Sequence, residues 1–291
     1  MQKWIQSLIA AKKIGFLGAG NLSKSIIQGL TRASVVPAEN IILTNRNAEK
    51  RQKIASEIHG VQAITSNEEL LEKAGIIVLG VKPQDLVSAI EPIRHLIHKE
   101  HIIISLAAGV SIEALSKLIP TTKNLIRWMP STAMKVQASV TAYTTMEQNE
   151  TLIQLSEDLL NPLGLAIQVE EGEELNSIMV ACASGPAFIY EFMQIWESWL
   201  ESYDIPQNIA RKLCIQTFLG SAKMAQQAAE LNLHDLQNQV MSKKGVTSVG
   251  IQHLRSVEFE DLLTAAFEKS FNRAKDMEQD FEMNLQQIDK K

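Results

Sequence analysis

Residues 13–23 read Lys13-Ile-Gly-Phe-Leu-Gly18-Ala-Gly20-Asn-Leu-Ser23, a short apolar run that ends in two glycines and passes directly into a helical pattern. A run that is apolar throughout suits a strand covered on both faces, and Gly18 permits the tight turn that follows it. Gly20 lets backbone N–H groups approach a pyrophosphate, toward which the next helix directs the partial positive charge of its N-terminus. Ser23 fills the third position of a Gly-x-Gly-x-x-Gly pattern and is small enough for close packing of helix on strand. Strand, glycine turn and helix in this order point to a bound dinucleotide.

Working outward, Lys13–Leu17, Ile41–Thr44, Ile76–Val81, Ile102–Leu106 and Leu125–Met129 read as strands. Helical patterns separate them at Leu22–Arg32, Ala48–Ile58, Asn67–Lys73, Gln84–His98 and Ile112–Leu118. Asn67 reads as an N-cap with Glu68 and Glu69 in the first turn, and Ser111 as another cap. Such alternation builds βαβ units, and so an α/β fold with an N-terminal Rossmann, doubly wound parallel sheet. Ser139–Thr145 and Leu165–Val169 extend the sheet, with a helix near Leu152–Leu160 between them. Beyond that only helices are expected: Glu173–Ala183, Pro186–Tyr203, Pro206–Glu230, Leu233–Val240 and Glu258–Gln287. The division expected is 1–169 for nucleotide binding and 170–291 for an all-helical dimerisation and substrate-binding domain.

Composition agrees with two soluble domains in 291 residues, 45% of them hydrophobic and 21% charged. A net charge of −5 without any Lys/Arg block argues against nucleic-acid binding. Neither Cys182 nor Cys214 sits in a Cys-x-x-Cys, so both read as buried, reduced thiols of a cytoplasmic protein. The N-terminal MQKWIQSLIAAKK is too interrupted for a signal peptide, and no apolar run comes near the length of a membrane span. The six histidines, at 59, 95, 98, 101, 234 and 253, lack metal-ligand spacing and read as surface residues; no metal is expected. Phe192, Ile195, Trp196 and Trp199 make one apolar helical face suited to a core or dimer interface, and Met224 and Met241 read as gap-fillers.

The second strand ends Thr44-Asn45-Arg46, with Lys50 and Arg51 a turn later. An NAD site usually carries Asp or Glu at this tip, whereas Arg46 can pair with a 2′-phosphate, so NADP(H) is favoured over NAD. Two more loops follow strands, Gly80-Val81-Lys82-Pro83 and Ala107-Ala108-Gly109. The second would let a flat ring lie against backbone, and Lys82 reads as electrostatic or structural rather than as a general acid.

Together the segments IGFLGAGNLSKSII, LGVKPQ, ISLAAGVSI, RWMPST, SGPAF, QTFLGSAKM and SKKGVT resemble the pyrroline-5-carboxylate reductase family, in that order from residue 14 to 247. The resemblance implies NADPH-dependent reduction of the cyclic imine 1-pyrroline-5-carboxylate to L-proline, in a homodimer formed through C-terminal helices. Some members assemble dimers into decamers. Cofactor contacts carried over are Leu17, Gly18, Ala19, Gly20, Asn21, Leu22, Asn45, Arg46, Asn67, Gly80, Val81, Lys82, Pro83, Ala107, Ala108 and Gly109. For substrate the resemblance implies the loop Ser242-Lys243-Lys244-Gly245-Val246-Thr247, with Gln239 before it. Its amides would hold the carboxylate, with the Thr247 hydroxyl near the ring nitrogen as proton donor. Departures cluster in the substrate half: Ser131 for asparagine, Ala133 for proline, Lys244 for glycine, and four changed positions within Asn176–Ala183. They keep two alternatives open, a paralogue acting on another imine and an NADP-binding relative without turnover.

Overall fold

The computed structural model describes residues 12–242 and 245–288. Within them lie β1 (Lys13–Leu17), α1 (Asn21–Arg32), β2 (Ile41–Thr44), α2 (Ala48–Glu57), β3 (Gln62–Ala63), α3 (Asn67–Lys73) and β4 (Ala74–Leu79). Next come α4 (Pro83–Ile90), β5 (Ile102–Ser105), α5 (Ile112–Leu118), β6 (Leu125–Met129), β7 (Ser139–Thr145), α6 (Glu150–Leu160) and β8 (Gly164–Gln168). The strands form one sheet in the order β3-β2-β1-β4-β5-β6-β7-β8. Its first six strands are parallel, in the doubly wound order of a dinucleotide-binding fold.

Alternate strand residues build two cores. Ile14, Phe16, Ile41, Leu43, Ile76, Val78, Ile104, Ile126 and Trp128 face α1, α2 and α6. Leu17, Ile42, Ile77, Leu79, Ile103 and Leu125 face α3, α4 and α5. Burial on both faces explains the unbroken apolar runs of the sequence. Where a polar group enters, it is paired: the Trp128 indole N–H donates to Ser156 Oγ at 3.1 Å.

β7 departs from the parallel pattern, pairing antiparallel to β6 with Trp128 opposite Tyr143. The connection Pro130–Ala138 is too short for the crossover a parallel neighbour needs, so the chain doubles back. β8 then runs parallel to β7. Other expectations shift locally. β4 ends at Leu79, because Gly80 N–H donates to Leu17 O at 2.9 Å and the chain turns away. Helix α4 stops at Ile90 and continues as a 3₁₀ segment, Glu91–Leu96, since Pro92 has no N–H for an α-helical bond. Asn67 is not the N-cap of α3: Ser66 is, its Oγ accepting from Glu69 N–H at 3.1 Å.

His101 is no surface residue. It is 1% exposed, with Nε2 against Leu71 O at 3.1 Å and Nδ1 accepting from His98 N–H at 3.1 Å. Burial, and then His98, hold its pKa below the ordinary value. Cys214 is buried and Cys182 only half so; both are free thiols with pKa raised by burial. Among the described residues no group of His, Cys, Asp and Glu could hold a metal ion.

The helical part contains α7 (Glu173–Ile178), a π-helical turn (Met179–Ala183), α8 (Gly185–Glu201), α9 (Gln207–Gln227), α10 (Leu233–Gln239), α11 (Val246–Ser256) and α12 (Phe259–Ile288). Contacts divide the chain into two compact units, 185–269 and the remainder, so 270–288 belongs with the sheet. Contrary to the expectation that no stretch is long enough, Glu173–Glu201 is helical, with a window of mean hydropathy 1.3 that would span a bilayer by length and composition alone. Within 185–269 aromatic pairs join the helices, Trp196 with Phe218 edge-to-face at 5.2 Å and Phe188 with Phe267 at 5.0 Å. Ile195, Trp196 and Trp199 nevertheless stay exposed on α8 and form no core within the unit.

Candidate active site

Sheet order reverses between β1 and β4, whose ends lie side by side with Leu17 opposite Leu79. A crevice opens at such a switch point because the following helices leave on opposite faces. Gly18 has φ +103°, a backbone conformation L side chains rarely adopt. A Cβ there would stand 2.7 Å from the Gly80 carbonyl carbon and 2.8 Å from its oxygen, so the two turns are packed backbone to backbone. Ser23 Oγ donates to Gly18 O at 2.7 Å and fixes the turn from the helix side. At the N-terminus of α1, Gly20 supplies no side-chain cap and the first turn carries no acid. The first amides of α1 are therefore available to an anion.

Around this terminus lies a cleft of about 860 Å³, of the size that takes a cofactor. Ala19, Gly20, Asn21 and Leu22 line it from β1 and α1, and Gly80, Val81, Lys82 and Pro83 from the turn after β4. Ala107 and Ala108 follow β5. These ten are the expected cofactor contacts that the fold brings together. Lys24, Lys50, Lys53 and Lys82 make the cleft cationic. Lys24 also pairs with Glu57, and its hydrogen bond holds that carboxyl below the usual range.

Six expected contacts lie outside the cleft lining. Leu17 is buried in the core and Gly18 shapes the turn from behind. Asn45 is committed locally, its side chain accepting from Asn47 N–H at 2.8 Å and its carbonyl from Arg51 Nη1 at 2.8 Å. The Arg46 side chain is 85% exposed and meets Asp85 of α4 at 3.4 Å. Asn67 opens α3, and Gly109 lies against Met277. Sequence reasoning missed Lys24, Lys53, Ile54, Gln84, Leu106, Pro130, Thr132, Ala183 and Met277 of the lining. Lys53 was legible, one turn beyond Lys50 on the same helix; Met277, distant in sequence, carried no signal.

In the unit 185–269, the segment read as a substrate loop opens a helix that the sequence reading did not contain. Gly245 is the N-cap of α11, so Val246 and Thr247 are its first residues and not loop. Gly245 N–H donates to Ser242 O at 3.0 Å, and no side chain caps the helix. Val246 is 94% exposed, and Thr247 and Gln239 are exposed as well. Lys243 and Lys244 lie outside the described residues.

A parallel sheet in this order, with an uncapped helix terminus and a cationic cleft at its switch point, defines a dinucleotide-binding protein of the Rossmann class. Residues 172–277 match the family model for pyrroline-5-carboxylate reductase dimerisation, and residues 13–109 match one described as NADP oxidoreductase coenzyme F420-dependent. The chain is 30% identical to a pyrroline-5-carboxylate reductase of Haemophilus influenzae over 92% of its own length and 98% of the relative's. Among solved structures, a pyrroline-5-carboxylate reductase from Coxiella burnetii superposes with a TM-score of 0.80 at 28% identity, covering 92% of this chain and 98% of that one. A Plasmodium falciparum pyrroline carboxylate reductase with NADP bound shares the fold, with a TM-score of 0.82 at 22% identity, covering 92% and 98%. The chain belongs to the pyrroline-5-carboxylate reductase family.

Proposed function

We propose that this chain reduces 1-pyrroline-5-carboxylate to L-proline with NADPH. The observation that carries the reading is the cleft at the β1–β4 switch point, complete with an uncapped helix terminus, in a chain that its reductase relatives match along nearly its whole length. The residues fit the cofactor: nothing lies within 4 Å of where a Gly20 Cβ would stand, so a pyrophosphate can reach the backbone. The amides at the start of α1 would hold that pyrophosphate, and Lys50 and Lys53, joined by Arg46 if it leaves Asp85, would answer the 2′-phosphate. Ala107 and Ala108 leave a flat surface on the other side of the crevice.

NADPH supplies a hydride for the imine carbon. The chain's own task is to fix the carboxylate and keep the ring nitrogen hydrogen-bonded while the two reacting atoms are aligned. Amides of Val246 and Thr247 at the uncapped start of α11 suit the carboxylate, and the Thr247 hydroxyl suits the nitrogen; the Gly245 N–H is already donated to Ser242 O. Ser242 and Gln239 flank that terminus. The exposed apolar face of α8, with Trp199 57% accessible, is the surface through which two copies pair. Decamers and a cytoplasmic location belong to the same proposal; two free cysteines suit a reducing compartment.

The test follows NADPH oxidation at 340 nm with pyrroline-5-carboxylate, beside NADH at matched concentration. Turnover favouring NADPH is expected. Turnover favouring NADH would remove the 2′-phosphate role, and NADPH binding without turnover would point to another imine or to a relative that only binds.

A further inference from the structure

One wall of the cleft comes from neither the sheet nor the helices wound around it. It is Met277 of α12, with Glu278 next to it outside the lining, in the part of that helix that belongs with the sheet. Gly109, Asn176 and Arg127 fix this turn of α12 from outside the cleft. Met277 lines the cleft beside Ala107 and Ala108. Gly109, at φ +70°, packs closely on the turn: a Cβ there would stand 2.6 Å from Met277 Cβ, 3.0 Å from its carbonyl carbon and 3.2 Å from Glu278 N. Glu278 reaches inward, accepting from Asn176 Nδ2 at 3.4 Å and standing 3.7 Å from Arg127 Nη1.

Arg127 explains why that last contact matters. Its side chain, on β6, is wholly buried and pairs with Glu171 and Glu278. Among the described residues its Nε and Nη2 have no hydrogen-bond partner, and neither do Asn176 Oδ1 and Glu278 Oε1. A buried guanidinium needs counter-charge, and removing one of its two carboxylates leaves the other to supply it alone. Burial raises the Glu171 carboxyl above its ordinary range against the pull of Arg127, and the neighbouring Glu278 adds to the rise. Glu278 completes the pairing and ties the α12 turn to the sheet.

The ends of the cleft are set by topology. By the general rule for this topology, a bound pyrophosphate would lie at the β1–β4 crevice with the adenosine toward β2 and α2, which would leave the β5–β6 side for the nicotinamide. Met277 stands on that side. Its flexible, polarizable thioether suits the surface of a planar ring.

We propose that Met277 is a further cofactor-contacting residue, closing the nicotinamide end of the cleft, and that Glu278 is its positioning residue, anchoring the α12 turn to Arg127. The inference rests on the NADPH-dependent reading above. Its test compares two ligands on the full-length protein by fluorescence titration: NADPH, and adenosine 2′,5′-bisphosphate, which carries the adenosine half without nicotinamide. M277A is expected to weaken NADPH about tenfold, as for partial loss of a methionine's burial, and to leave the bisphosphate unchanged. M277L restores most of the affinity. E278Q reproduces the M277A pattern and raises KM for NADPH more than it lowers kcat. Equal weakening of both ligands, or unaltered NADPH affinity in M277A, overturns the inference while leaving the functional reading intact. A wild-type protein that neither binds nor oxidises NADPH sinks the functional reading and this inference with it. M277A alters a cleft wall rather than a buried charge, so it decides the matter even where E278Q lowers stability.

Discussion

Gly18 and Gly20 are two residues apart in one turn, yet alanine should fail at each for a different reason. At Gly18 the backbone holds φ +103° and a Cβ would meet the Gly80 carbonyl at 2.7–2.8 Å. Strain of roughly 1–3 kcal/mol for such a conformation adds to roughly 1–3 kcal/mol for overpacking against backbone that cannot swing aside. A loss of about 2–6 kcal/mol lowers the melting temperature of a unit this size by on the order of 10 °C. At Gly20 the φ is −84°, open to any residue, and no heavy atom lies within 4 Å of the added Cβ. Free-protein stability there should fall by no more than about 1 kcal/mol, the difference between glycine and alanine at an N-cap. The same methyl stands where the pyrophosphate must approach the first amides of α1. Losing one charge-assisted hydrogen bond, worth about 1.5–3 kcal/mol, weakens NADPH about 10- to 100-fold. Thermal unfolding of the free protein and NADPH titration, run on both variants, read the two effects separately. NADPH affinity unaltered in Gly20→Ala would refute the placement of the pyrophosphate, and an unaltered melting temperature in Gly18→Ala would refute the packing argument.

Replacing Arg46 by alanine should lower the preference for NADPH over NADH about tenfold, read as the ratio of kcat/KM values, while Asp85→Asn frees the guanidinium and raises that preference. Thr247→Ala should cut kcat by about 100-fold with NADPH affinity unaltered; a kcat within twofold of wild type would remove the assigned proton donor. The fold lowers the pKa of His101 through burial and then His98, whereas in the unfolded chain it takes up a proton near its usual pKa of about 6.5. Stability should therefore fall as pH drops below about 6.5, and His101→Gln should flatten the dependence of the melting temperature between about pH 7 and 5. A variant with an unchanged slope there would show that other groups carry the acid sensitivity.

Much of the sheet was legible because its residues answer to local rules. The runs KIGFL, IILT and LIRWM coincide with β1, β2 and β6 residue for residue, since strands buried on both faces need no alternation. The cofactor turn was legible for the same reason: glycine spacing after a strand is a local signal. The direction of β7 was hidden, because a strand pattern reads identically either way and only the length of its connection decides. His101 looked like one of several polar histidines until α3 supplied a carbonyl for its ring. Helix α11 was overlooked because its first residues were read through the motif they carry rather than through their helical pattern.

By itself, then, the sequence determined the class of fold, the glycine turn after β1 and the family, all carried by signals between residues close along the chain. Tertiary structure decided what depends on residues far apart: Lys53 and Lys82 in one cleft, Arg46 turned to Asp85, and the turn at Met277 and Glu278 brought against Gly109 and Arg127. Such pairings leave no periodic trace, because each is fixed by how packed elements meet and not by any pattern within one element.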